Sequence, residues 1–147
     1  MITALLLGCL VFGVPDGDSL KVRCPNTDAF SIRVAEIDAP EIEHKALGIG
    51  EQPYGRESKA ALTALCLNQP AEVQPKTIDK YRRTVAKISC NGVDVGTRQV
   101  VTGNAWAYYT VRHSNMPALQ AAAQEQGVGL WALPHPIKPS LWRKGAR

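Results

Sequence analysis

A chain of 147 residues, 45% of them hydrophobic, can bury one domain's core and carries no low-complexity tract, which excludes a disordered or repeat protein. The net charge of +4 hides an asymmetry: residues 1–57 carry nine acids and five bases, residues 58–147 four acids and twelve bases. One half suits a cation and the other an anion. The four cysteines, Cys9, Cys24, Cys66 and Cys90, lack C-x-x-C spacing, which excludes the common zinc and thioredoxin-type motifs. Three disulfide pairings stay open, while Cys66 and Cys90 read first as small buried residues.

Residues 2–14 are almost wholly apolar, too short to span a bilayer, and lead into Asp16-Gly17-Asp18-Ser19. They read as a first strand over Leu10–Val14 preceded by a targeting remnant at 1–8, although no base precedes the apolar run and no cleavage box of small residues ends it. Ser19–Cys24 alternates apolar and basic residues, and Pro25-Asn26-Thr27-Asp28 turns the chain into a strand opening at Phe30. Ile42–Gln52 has no period and reads as a loop. A helix is expected over Pro53–Leu67, with Ala61, Leu62, Leu65 and Cys66 as its stripe and Asn68 as its C-terminal cap. Strands follow at Ala71–Gln74 and Thr84–Cys90, the latter closed by Asn91-Gly92. Helices follow at Val95–Asn104 and from Ser114 or Asn115 to Gly127, the last with Ala118, Leu119, Ala122 and Ala123 as its thin apolar face. The remainder has no period, and its tryptophans pin it to the domain. A small closed barrel with helices packed on it fits this order.

The stretch Phe30–Glu41 carries the chemistry. Phe30, Ile32 and Val34 share one face of a strand and Arg33 the other. Arg33 and Asp38 are an odd number of residues apart, so the strand must bend or end between them, and Pro40 supplies a stop. A guanidinium, the carboxylates of Asp38 and Glu41 and a backbone carbonyl then converge. Asp16 and Asp18 add two carboxylates around a glycine suited to a tight turn. Hard divalent cations such as calcium take several oxygens of these kinds. The bases Lys76, Lys80, Arg82, Arg83 and Lys87 form a cluster suited to a polyanion.

These residues resemble the staphylococcal-nuclease (thermonuclease) family, from about Val11 to Trp131. The resemblance rests on D-G-D-S at 16–19, I-R-V-A-E-I-D-A-P-E at 32–41, P-Y-G-R-E at 53–57, D-K-Y-R-R-T-V-A at 79–86 and G-N-A-W-A at 103–107. It implies an α+β fold, a five-stranded OB-fold β-barrel with three packed helices, over residues 9–131, followed by a basic tail at 132–147. It also implies a calcium-dependent phosphodiesterase acting on DNA and RNA with little sequence preference. Asp18, Asp38 and the Ala39 carbonyl would bind Ca2+, with Asp16 behind them. Glu41 would position or deprotonate the attacking water, Arg33 and Arg83 would hold the phosphate, and Lys80, Tyr81 and Tyr109 would flank the nucleotide. The chain departs from the family at Arg82, where a glycine is usual, at Ser19 and Ala39, where threonine is, and at Val111, where a second tyrosine is. Spacing favours Arg83 over Arg82 as the phosphate-facing arginine.

A monomer without a transmembrane helix, secreted or periplasmic, completes the expectation. The rival is a non-catalytic OB-fold module that binds nucleic acid or another polyanion, in an envelope or exopolysaccharide role. The presence of all five of Asp18, Asp38, Glu41, Arg33 and Arg83 favours the enzyme.

Overall fold

Alternation of apolar residues builds a barrel, and the computed structural model describes it over residues 4–108 and 113–147. Strands β1 (Leu6–Asp16), β2 (Ser19–Arg23) and β3 (Phe30–Val34) form an antiparallel meander. β4 (Ile37–Asp38) then leaves it. Helix α1 (Gly55–Cys66) precedes the long hairpin of β5 (Pro70–Ile78) and β6 (Thr84–Cys90). β5 pairs with β1, and β6 pairs in parallel with β3, aligning Ile32 with Thr84 and Val34 with Ala86. Five strands are thereby closed on themselves, and the interior is filled by Val11, Leu20, Val22, Ile32, Val34, Val73, Ala86 and Ile88. Closure removes the sheet edges that an open sheet of this size would expose.

The short strand β7 (Val93–Asp94) extends the β6 hairpin, and Asn91 and Gly92 take the left-handed backbone its turn requires. Asp94 caps α2 (Val95–Val101), accepting hydrogen bonds from the Thr97 amide at 3.0 Å and hydroxyl at 2.7 Å. β8 (Trp106–Ala107) pairs with β4, and α3 (Met116–Gln126) ends at Gly127 in the left-handed conformation. No helix among the described residues is long and apolar enough to cross a membrane.

Several expectations need correction. β1 begins at Leu6, so Leu6–Gly8 belong to the sheet, where Leu6 pairs with Val73 and a left-handed Gly8 accompanies the register shift. α1 starts at Gly55 rather than Pro53, because Tyr54 takes a positive φ of 76° that no helix continues through. The buried face of α3 is Met116, Gln120 and Ala123, with Ala118 and Ala122 exposed. Gln120 lies inward because its Oε1 accepts the Ala107 amide at 2.7 Å. Cys66 and Cys90 are not free buried thiols: they form one disulfide, joining the end of α1 to the end of β6, and Cys9 and Cys24 form the other.

The last residues carry a 3-10 turn (Gly129–Ala132) and a fourth helix, α4 (Pro139–Arg143), beyond the three expected. Trp142 is buried there, its indole donating to the Gly50 carbonyl at 2.8 Å, and Trp131 packs edge-on against Trp106. α4 had no sequence signature because one turn of helix has no period to detect.

Candidate active site

One end of the barrel gathers the polar residues. β1 and β2 are joined at Asp16 and Ser19, and Asp16 Oδ1 accepts the Asp18 amide at 3.1 Å, closing a tight turn through Gly17. Gly17 does not take a positive φ. Its role is close approach: a Cβ there would overlap Ser58 Oγ and lie 2.9 Å from the Cβ of Ala39. The turn is thus pressed against both α1 and the segment after β4. Its carbonyl accepts from buried Gln99 Nε2 at 2.9 Å, and Asp18 Oδ2 accepts the Ala39 amide at 2.7 Å.

The expected break after β3 occurs at Glu36, whose φ of 69° reverses the chain into β4. That bend brings Arg33 and Asp38 to the same side. Arg33 Nη1 lies 3.6 Å from Asp18 Oδ2 and Nη2 lies 3.6 Å from Asp38 Oδ1, so one guanidinium spans both buried carboxylates. Its Nη1 also donates to the Val34 carbonyl at 2.9 Å, which fixes the fork. Glu41 is half-buried, and its amide donates to Gln52 Oε1 at 3.0 Å.

Arg83 arrives from the β5–β6 turn. Its Nη1 donates to Ser19 Oγ at 3.3 Å, and its Nε donates to Asp79 Oδ2 at 2.9 Å. Arg82 is exposed and takes φ of 65°, the left-handed conformation that suits the glycine it replaces, so Arg83 is the arginine aimed at Ser19. Tyr81 and Lys80 are exposed on the same turn, with the Tyr81 ring 5.2 Å from Lys80 Nζ and 5.6 Å from Arg83 Cζ. Tyr109 and Val111 lie outside the described residues.

Burial and charge act oppositely on these groups. Burial pushes the Asp16 carboxyl up to about 8, and the negative charge of Asp18 adds to it. For Asp18 burial is also the largest effect, but the Arg33 charge and hydrogen bonds from Asp16 and the Ala39 amide outweigh it and hold its pKa low. Burial raises Asp38 and Glu41 despite their arginine partners.

Two participants escaped the sequence reading. Asp79 accepts the Arg83 and Tyr81 amides and the Arg83 guanidinium, each at 2.9 Å, and so orients the turn. The D-K-Y-R-R motif contained it without marking its role. Arg143, from α4, donates from Nη2 to Asp38 Oδ2 at 3.1 Å and from Nη1 to Asp38 Oδ1 at 3.3 Å and to Glu41 Oε1. Nothing in the sequence pattern tied it to Asp38.

Among the described residues no three Asp, Glu, His or Cys side chains converge on one metal position. A cation here would rest on Asp18, Asp38, a backbone carbonyl and water, a hard all-oxygen set that suits calcium.

A closed five-stranded OB-type barrel with arginines and carboxylates gathered at one end suits a phosphodiester hydrolase of the nuclease type. The chain belongs to the family described as Staphylococcal nuclease homologue, which matches residues 31–133. An uncharacterized endonuclease of Haemophilus influenzae is 36% identical over 138 residues, covering 92% of this chain and 72% of that one. An uncharacterized endonuclease of Escherichia coli O157:H7 is 32% identical over 135 residues, covering 90% of this chain and 82% of that one. Staphylococcal-like nuclease CAN1 of Arabidopsis thaliana is 34% identical over 119 residues, covering 80% of this chain but only 34% of the longer plant protein.

Proposed function

We propose that the protein is a calcium-dependent nuclease that hydrolyses DNA and RNA with little sequence preference. The observation that supports this most is the Arg33 fork set 3.6 Å from both Asp18 and Asp38, with Arg83 beside it at Ser19. Asp18, Asp38 and the Ala39 carbonyl would hold the metal, and Asp16, whose Oδ1 accepts the Asp18 amide, would steady Asp18. A bound divalent ion polarises a phosphoryl oxygen.

Arg33 and Arg83 neutralise the equatorial oxygens of the phosphate, where charge grows during in-line displacement. Glu41 orients a water and takes its proton as the water oxygen bonds to phosphorus. The bond from phosphorus to the 5′ oxygen breaks, and the leaving oxygen keeps the electron pair and takes a proton from solvent. Lys80 and Tyr81, exposed on the turn that carries Arg83, flank the nucleotide. The two disulfides support a secreted or periplasmic location, because such bonds persist in oxidising compartments.

The test is plasmid digestion with calcium and then with a chelator, repeated on Arg83→Lys and Arg82→Lys. Wild type should cut only with calcium. Arg83→Lys keeps the charge but loses the bidentate fork, so turnover should fall by about two to four powers of ten, and Arg82→Lys should cut normally. A wild type that binds single-stranded DNA but never cuts it would instead make the domain a polyanion-binding module.

A further inference from the structure

The cation already seated on Asp38 and Glu41 is a side chain of the protein itself. Arg143 covers both oxygens of Asp38, at 3.3 and 3.1 Å, and reaches Glu41 with the same Nη1. The guanidinium therefore engages both oxygens through which Asp38 would ligate a metal. A divalent ion and a guanidinium brought onto the same carboxylate repel each other, and the pair's negative charge is shared between them.

The contact is built rather than incidental. Trp142, next to Arg143, is 8% exposed and anchored to the Gly50 carbonyl, and the Arg147 guanidinium stacks 3.9 Å from its ring centroid. Gln52, itself 4% exposed, accepts the Glu41 amide through Oε1 and donates through Nε2 to the Ile137 carbonyl at 2.6 Å. One buried amide side chain thus ties the backbone of Glu41 to the segment that delivers α4.

The two arginines differ in what they can do next. The Arg33 side chain is 18% exposed and is also hydrogen-bonded to the Val34 carbonyl, so it stays. The Arg143 side chain is 37% exposed and can rotate into water without uncovering the core.

We propose that Arg143 is the resident cation of the Asp38–Glu41 pair and that a divalent metal binds in exchange for it. Arg143 thereby sets the metal affinity of the site: it preserves the carboxylate arrangement without metal and competes with the ion for Asp38. The proposal rests on the metal reading given above.

Calorimetric calcium titration of the full chain tests it, on wild type, Arg143→Gln and Arg143→Lys. Losing a charge-assisted competitor should tighten calcium binding in Arg143→Gln by about tenfold or more, with Arg143→Lys in between. In chelator, Arg143→Gln should melt below wild type, and saturating calcium should close or reverse that gap. Equal or weaker calcium binding by a folded Arg143→Gln would overturn the exchange while leaving the metal reading intact. Failure of wild type and both variants to bind calcium would overturn both.

Discussion

Gly17→Ala tests the link between fold and site most directly. Gly17 has no positive φ to protect, so by backbone preference alone alanine would stabilise the fold by a few tenths of a kcal/mol up to about 1 kcal/mol. Packing decides otherwise. The new Cβ would overlap Ser58 Oγ and lie 2.8 Å from Ser58 Cβ and 2.9 Å from Ala39 Cβ. Ser58 cannot yield freely, because its hydroxyl donates to the Asn104 carbonyl at 2.6 Å within the protein. Overpacking of this kind costs about 1–3 kcal/mol. A middle value of about 2 kcal/mol, in a chain of this length, lowers the melting temperature by roughly 6 °C. Because Ala39 is pushed as well, the Asp18–Ala39 hydrogen bond should lengthen and calcium affinity should fall. Thermal melts in chelator and calcium titrations read the two effects. Ser58→Gly in the same chain should recover part of the loss, more than the single changes would give by addition. A Gly17→Ala protein that melts with wild type and binds calcium equally would refute the close-approach argument.

Two further outcomes follow from the same geometry. The Asp16 carboxyl titrates at about 8 in the fold against an ordinary value of 3.8. An acid raised by folding costs nothing while protonated in both states, costs progressively more as pH rises from about 4 to 8, and costs a constant amount above that. Asp16→Asn should therefore leave metal-free stability unchanged near pH 4 and raise it above pH 8, as denaturant titrations in chelator would show. An equal gain at both pH values would remove ionisation as the cause. For the disulfides, Cys66→Ala/Cys90→Ala should lose about 3.5 kcal/mol and Cys9→Ala/Cys24→Ala about 3 kcal/mol, from the 24- and 15-residue separations they bridge. Denaturant unfolding curves fitted with the slope free, since the uncrosslinked unfolded chain is more expanded, check both.

What could be read from the sequence was whatever is local. D-G-D-S and the Arg33–Glu41 stretch each fold within a few residues, so residue types and spacing pointed to clustered carboxylates. The roles of Arg33 and Arg83 came from the family resemblance, and the hold of Asp79 on Arg83 went unmarked. Gly17 was rightly marked but for a different reason: its neighbours Ser58 and Ala39 come from other elements, and no local rule reports on them. The cysteine pairing had three solutions until the barrel brought Cys66 beside Cys90. Arg143 was the least accessible, because it sits more than a hundred residues from both of its partners on a helix of five residues. The two-residue strands β4, β7 and β8 escaped because alternation needs a longer run to be seen.

The parallel seam between β3 and β6 has a consequence for the newborn chain. Arg33 and Arg83 stand on opposite sides of it, and it joins strands far apart in sequence, so it is a contact that forms late and slowly. Until β6 has been synthesised and zipped onto β3, Arg83 has no fixed position relative to Arg33. An unfinished polypeptide therefore carries Asp16, Asp18, Arg33 and Asp38 before Arg83 has been placed beside them.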